Sequence, residues 1–317
     1  MKGDVLYIVV PCYNEEQVLR ITAGRLKEIM SGLMEEGQIS DRSRVLFCND
    51  GSSDSTWSII EELHRENPMF TGVSLSRNRG HQNVLMCGLM TARERCDFAV
   101  SMDADLQDDP GVLGEFIDRY NEGCDIVYGV RSSRAEDTGF KRGTAHMFYR
   151  LMNRLGAEVV YDHADYRLMS RRALDALAQF GETNLFLRGM VPLIGFKTAT
   201  VKYVRHERAA GSSKYNMSKM AKLAVDGITS FSTKPAMIIT AAGFAVSTVS
   251  IIALLVMLIV GLCGRWAAGY SFWAVSLWML GGFILAAAGI TGLYAGGAML
   301  EAKHRPRYIV DKTLLDD

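Results

Sequence analysis

The chain has 317 residues, with 35 Lys and Arg against 35 Asp and Glu, so it carries no net charge at pH 7. That balance argues against a general polyanion-binding surface and so against a nucleic-acid partner. Hydrophobic residues make up 49% of the chain, enough for two domains at this length, and the excess gathers toward the C-terminal end.

Taken in order, Val5 to Val10 is a β-branched apolar run of the kind buried on both faces of a parallel sheet. Met1 to Asp4 leads straight into it, so no cleavable signal peptide is expected. The run ends at Pro11-Cys12-Tyr13-Asn14-Glu15-Glu16, and apolar residues at helical spacing then predict a helix to about Met34. Val45 to Cys48 reads as a second strand, ending in Asn49-Asp50-Gly51-Ser52-Ser53-Asp54. Ser53 or Asp54 is placed to cap the helix that follows, through Leu63. Thr71 to Leu75 is a third strand and ends in Ser76-Arg77-Asn78-Arg79-Gly80-His81. A helix over Gln82 to Arg95 leads to Phe98–Met102, a fourth strand, and Asp125 to Gly129 is a fifth. Cys12, Cys48, Cys87, Cys96, Cys124 and Cys263 form no C-x-x-C pair and sit mostly in apolar runs. They read as small buried hydrophobes in a reducing compartment.

The chain turns acidic within one residue of the fourth strand, at Asp103-Ala104-Asp105-Leu106-Gln107-Asp108-Asp109. Asp103 and Asp105 are two apart, so an extended backbone points both carboxylates to one side. Converging carboxylates repel unless a cation lies between them. Hard oxygen donors at this spacing suit Mg²⁺ or Mn²⁺, with further positions left for water or phosphate oxygens. The competing reading is a solvated turn in which Asp108 and Asp109 cap the next helix.

Strand–helix alternation predicts an open, mostly parallel α/β sheet with helices on both faces. Ligands in such sheets sit beyond the carboxyl ends of the strands. The four polar clusters, Tyr13 to Glu15, Asp50 to Asp54, Arg77 to His81 and Asp103 to Gln107, are therefore expected to line one crevice. The chain has neither G-x-G-x-x-G nor G-K-[ST], which weighs against dinucleotide-dependent oxidoreductases and P-loop enzymes.

The segments Val9 to Glu16, Asn49 to Asp54 and Asp103 to Gln107 resemble the nucleotide-sugar motifs of family 2 glycosyltransferases of GT-A fold. Arg131, Phe140-Lys141-Arg142, Ala164 to Met169 and Gly211 to Tyr215 are similar to the polyprenyl-phosphate glycosyltransferases, and within them to the bactoprenol glucosyltransferase branch. Asn49 departs from the more usual Asp, while Asp50 keeps the carboxylate. The resemblance implies that Pro11, Tyr13, Glu15 and Asp50 hold the base and ribose. It implies that Asp103 and Asp105 hold the metal and diphosphate, and that Gln107 lies beside the transferred sugar or the metal shell. The basic residues Arg77, Arg131, Lys141, Arg142, Arg167 and Lys214 suit phosphate recognition. Asp165 is expected to orient Arg131 or Arg167, to approach the sugar, or to form a buried ion pair without chemistry. His81, His146, His163 and His206 show no metal spacing and read as structural or surface residues.

Ala236 to Leu262 and Phe272 to Leu300 are uncharged runs long enough to cross a bilayer. Between them Cys263 to Ser271 carries only Arg265, whereas Lys214, Lys219, Lys222, Lys234, Lys303, Arg305 and Arg307 lie outside. The positive-inside rule then puts the catalytic domain and both flanks in the cytosol of a multi-pass membrane protein. The expected organisation is a GT-A domain over 1–212, amphipathic interfacial helices over 213–235, two transmembrane helices over 236–300 and a cytosolic tail over 301–317. The partners expected are a nucleotide-sugar donor, a polyprenyl-phosphate acceptor, membrane lipid and further copies of the chain, a tetramer by resemblance. UDP-glucose is the first donor choice, ahead of GDP-mannose, UDP-N-acetylglucosamine and a modified arabinose. Two other readings rank lower. A processive synthase normally carries Q-x-x-R-W, where this chain has Phe186-Leu187-Arg188-Gly189-Met190. An inactive membrane scaffold does not need intact Asp103 and Asp105.

Overall fold

The computed structural model describes residues 3–131, 163–182, 185–205 and 269–315, with scattered helical positions between 239 and 252. The chain divides into two compact units. One comprises Met1–Tyr149, Glu158–Asn216 and Pro306–Asp317, the other Arg150–Ala157 and Met217–Arg305.

The first unit is an α/β sheet built from β1 (Leu6–Cys12), β2 (Arg44–Asn49), β3 (Phe70–Leu75), β4 (Phe98–Ser101), β5 (Ile126–Arg131), β6 (His163–Ser170), β7 (Thr198–Tyr203) and β8 (Val310–Leu314). Between the strands run α1 (Leu19–Glu35), α2 (Thr56–Glu66), α3 (His81–Arg93), α4 (Leu113–Asn121), α5 (Arg171–Ala178) and α6 (Leu187–Leu193). The strand order is β7-β5-β6-β4-β1-β2-β3-β8. The β4-β1-β2-β3 block is parallel, as its continuous apolar strands predict. Every residue of β1 is buried. Helix α1 lays Leu19, Ala23, Leu26, Met30 and Leu33 on the sheet at three- and four-residue spacing. Helix α3 approaches closely because Gly88 has no side chain: a Cβ there would lie 2.4 Å from both Val9 Cγ1 and Cys48 Sγ. Five cysteines (Cys12, Cys48, Cys87, Cys96 and Cys124) are free and buried, while Cys263 lies outside the described residues.

Two strands depart from the simple alternation. β6 inserts antiparallel between β4 and β5, so the fifth strand of the sequence does not adjoin the fourth. Its alternation explains the placement. Tyr166 and Leu168 enter the apolar core, and the buried Asp165 and Arg167 lie on the other face and pair with each other. β6 runs opposite to β4, so its start lies at the carboxyl end of β4. The register pairs Ser101 with Arg167 and, carried two residues further, sets Asp103 opposite Asp165. The second departure is in the residues read as a polar tail, where Val310–Leu314 forms β8 and pairs antiparallel with β3 at the sheet edge.

In the second unit, α7 (Gly269–Ala302) is a 34-residue helix containing the apolar stretch Leu280–Met299, of mean hydropathy 1.5. Among the described residues it is the one helix long and apolar enough to cross a membrane. Leu277, Ile284 and Met299 on it are exposed. The first apolar run, Ala236 to Leu262, falls largely outside the described residues, so a two-helix hairpin is not established by the structure.

Candidate active site

The four polar clusters meet at one end of the parallel block, the first three joined in sequence by hydrogen bonds and the third and fourth by a longer contact between charged groups. Beyond β1, the backbone N–H of Asn14 donates to Ser52 Oγ at 3.0 Å, and Asn14 Oδ1 accepts from the backbone of Ser53 at 2.9 Å. The N–H of Glu15 donates to Thr56 Oγ1 at 2.9 Å. Asn14 sits at φ 54, a conformation that Asn tolerates better than most residues. Beyond β2, the two carboxylate oxygens of Asp50 accept from the backbone N–H groups of Arg79 and Gly80 at 2.7 and 2.9 Å. Gly51, at φ 62, allows this approach, since a Cβ would lie 2.6 Å from the Arg77 carbonyl carbon. Asp50 is therefore turned inward, 2% exposed, with burial pushing its carboxyl up against the pull of those two N–H groups. Asp50, expected at the nucleotide, also shapes the β3–α3 loop through these two bonds. Pro11 is buried in β1, Tyr13 is 39% exposed at the rim, Glu15 is half-buried and Arg77 is exposed.

The β3–α3 loop reaches the acidic loop through His81, whose Nε2 lies 3.3 Å from Asp165 Oδ2 and 3.9 Å from Asp103 Oδ1. Burial alone would lower the imidazole pKa, but the Asp165 hydrogen bond and the Asp103 charge raise it. The sequence reading set His81 aside. The signal available was its place at the end of a cluster already expected to line the crevice.

The acidic loop is fixed from below. Thr22, buried in α1, donates its hydroxyl to the Ala104 carbonyl at 2.6 Å. The N–H of Gln107 donates to Asp105 Oδ1 at 3.2 Å, and Leu106 between them sits at φ 54, an uncommon conformation for a bulky side chain that reports local strain. Gln107 Oε1 accepts from Arg205. Asp109 caps the next turn through the N–H of Gly111 at 2.8 Å, as the competing reading of the loop foresaw. Asp108 behaves differently. It is 1% exposed and accepts from the Tyr203 hydroxyl at 2.5 Å and from Arg131 Nη2 at 3.2 Å. Arg131, expected at a phosphate, is thus tied to a buried carboxylate that the sequence reading treated as a cap.

Asp165 lies beneath the crevice. Arg167 Nη2 donates to its Oδ1 at 2.6 Å, and Arg188 donates from Nε to Oδ1 and from Nη2 to Oδ2, both at 3.2 Å. Burial pushes the Asp165 carboxyl up. The Arg188, His81 and Arg167 partners outweigh it and hold the group well below the usual carboxylate range. The Arg167 side chain, expected at a substrate phosphate, is only 2% exposed and is paired with Asp165. Asp165 pairs with Arg167 and with Arg188, which fits both an orienting role and a buried ion pair. Lys141, Arg142 and Lys214 lie outside the described residues, as do His146 and His206.

Among the described residues no three His, Cys, Asp or Glu groups are gathered to hold a metal ion. Asp103 and Asp105 supply the two-carboxylate donor set that Mg²⁺ or Mn²⁺ takes when the other positions belong to water and phosphate. The electrostatics fit a cation there. Burial pushes the Asp103 carboxyl up to about 6. His81 pulls it back, and Asp108, Asp165 and Asp105 crowd it with like charge.

A parallel α/β sheet with an acidic pair beyond a central strand defines a GT-A type domain. Residues 7–178 match the family described as Glycosyl transferase family 2, and the chain belongs to that family. It is 48% identical over 313 residues to the uncharacterized glycosyltransferase YkoT of Bacillus subtilis (strain 168), covering 99% of this chain and 93% of the relative. It is 37% identical over 305 residues to the bactoprenol glucosyl transferase of Shigella phage SfV, covering 96% of this chain and 97% of the relative. Among solved structures, the mannosyl-3-phosphoglycerate synthase of Rubrobacter xylanophilus is similar at TM-score 0.47 and 18% identity, over 70% of this chain and 71% of that one.

Proposed function

We propose that this glycosyltransferase moves a sugar, glucose from UDP-glucose first among the candidates, onto a membrane polyprenyl phosphate by single displacement with inversion. The observation that carries the reading is the 37% identity to a bactoprenol glucosyl transferase, which spans both chains almost end to end. The Asp103–Asp105 pair beyond a central strand supports it.

An acceptor phosphate is already an anion at neutral pH, so the chain needs no general base to activate it. The task left to the protein is placement of that oxygen behind the anomeric carbon. The shared loop beyond β4, pinned by Thr22, holds Asp103 and Asp105 in one orientation. A bound Mg²⁺ or Mn²⁺ would stabilise the departing nucleoside diphosphate. Tyr13 at the rim offers a face for the base, and Gln107, held by Arg205, donates its N–H to the Asp105 carboxylate.

Membrane attachment as a hairpin is part of the proposal. Leu280–Met299 supplies one apolar stretch of spanning length. β8 follows that stretch yet pairs with β3. A folded sheet lies on one side of a bilayer, so the chain must cross an even number of times between β7 and β8. Ala236 to Leu262 has the length and lack of charge for a second crossing, and the flanking lysines and arginines favour the cytosolic side for the sheet.

The test is a donor screen on the purified full chain in detergent. With polyprenyl phosphate present, release of nucleoside diphosphate from UDP-glucose should exceed that from GDP-mannose, UDP-N-acetylglucosamine and the arabinose donor. Release that ignores the lipid would defeat the acceptor assignment.

A further inference from the structure

The cation count around Asp165 exceeds what that carboxylate requires. Arg167 alone, 2% exposed and 2.6 Å away, neutralises it from beneath. Arg188 then adds a second guanidinium through both of its contacts at 3.2 Å, and its side chain remains 34% exposed. On the same carboxylate His81 makes a third contact and reaches across to Asp103. Arg188 and His81 are thus the two partly exposed cations of the cluster, each 34% exposed, and Arg188 is linked to Asp103 through the Asp165 carboxylate and the His81 ring.

Its mounting is rigid. Helix α6 begins at Leu187, whose N–H donates to Gln82 Oε1 at 2.9 Å and whose carbonyl accepts from Arg167 Nη1 at 3.3 Å. The two-point contact with Asp165 fixes the plane of the guanidinium as well as its position. A guanidinium held in one plane and partly exposed is suited to phosphate oxygens, and little side-chain entropy remains to be lost on binding.

We infer that Arg188 is a phosphate-binding residue of this crevice and that Asp165 is the positioning residue that aims it. The inference rests on the transferase reading for the origin of the phosphate, which belongs to the donor diphosphate or to the lipid acceptor. It gives Asp165 a role through Arg188 and not through the reacting atoms.

The experiment measures calorimetric binding of UDP and, separately, of a short-chain polyprenyl phosphate to the full chain in detergent, alongside KM and kcat. Arg188→Gln should weaken one of the two ligands about ten-fold or more. Loss confined to UDP assigns the donor diphosphate, and loss confined to the lipid assigns the acceptor. Arg188→Lys, which keeps the charge and loses the fork, should weaken the same ligand about three-fold or more. Asp165→Asn should reproduce the Arg188→Gln loss, and the double variant should add little to it. Unchanged binding of both ligands by Arg188→Gln overturns the inference. Should that variant fail to fold, unchanged binding by Arg188→Lys does so. Binding decides the matter separately from transfer: a wild-type chain that binds both ligands without moving sugar defeats the transferase reading and leaves this result standing.

Discussion

The Thr22 hydroxyl donates to the carbonyl of Ala104 at 2.6 Å, tying the first helix of the chain to the acidic loop beyond β4. The same hydroxyl lies 3.1 Å from the Val18 carbonyl within its own helix. Both residues are buried, so removal of the donor leaves a carbonyl between the two carboxylates without that partner. Thr22→Val keeps the shape. It should cost about 1 kcal/mol of stability, seen as a lower melting temperature. It should also raise KM for the nucleotide-sugar more than it lowers kcat, because it loosens the donor side.

Arg167 and Asp165 form a pair shut away from water. Burial disfavours the charged guanidinium and lowers its pKa, and the carboxylate offsets this only in part. Asp165→Ala strands a buried cation and should cost about 3–5 kcal/mol. Asp165→Asn, which retains an acceptor for Arg167, should cost less. Thermal melting of the two variants against wild type checks the order.

Asp108 depends on Tyr203 in a similar way. Tyr203→Phe removes the shortest hydrogen bond to a buried carboxylate and should destabilise the chain by about 1–3 kcal/mol. Arg131 loses a hydroxyl partner in the same change, since its Nε donates to Tyr203 at 3.3 Å. A melting temperature equal to wild type would show that this network does not hold the loop.

The strands and helices of the parallel block were legible because their apolar periodicity matches the burial each element achieves. The convergence of the four clusters was legible because parallel strands bring their carboxyl ends together. What the sequence hid depends on pairing across long separations. Asp108 looks like a cap until β7 brings Tyr203 to it, 95 residues later. Arg167 looks like a phosphate ligand until β6 turns it into the interior. His81 carries no spacing signal because its partners lie far along the chain, Asp103 in the loop beyond β4 and Asp165 on β6. β8 reads as a polar tail because an exposed edge strand has no apolar pattern to announce it.

Burial holds the thiols of Cys87 and Cys96 up to about 12. Their folded values lie above those of the unfolded chain. The stability they contribute is therefore complete below about pH 9 and is lost as pH rises toward 12, by about 1.4 kcal/mol per unit for each thiol. Melting temperature should fall steadily over that range, and a charged maleimide at pH 8 should leave both thiols unmodified in the folded chain.

The account stands on the acidic pair and an anionic lipid meeting in one crevice. The most direct measurement supplies radiolabelled UDP-glucose and polyprenyl phosphate to the purified full chain, wild type beside Asp105→Ala, and follows the label into organic solvent. The account predicts an organic-soluble, mild-acid-labile product from wild type and a loss of at least about a hundred-fold in the variant, the scale of a missing electrostatic contact to the leaving group. Full transfer by Asp105→Ala, or no lipid-linked label from wild type with any of the four donors, would contradict it.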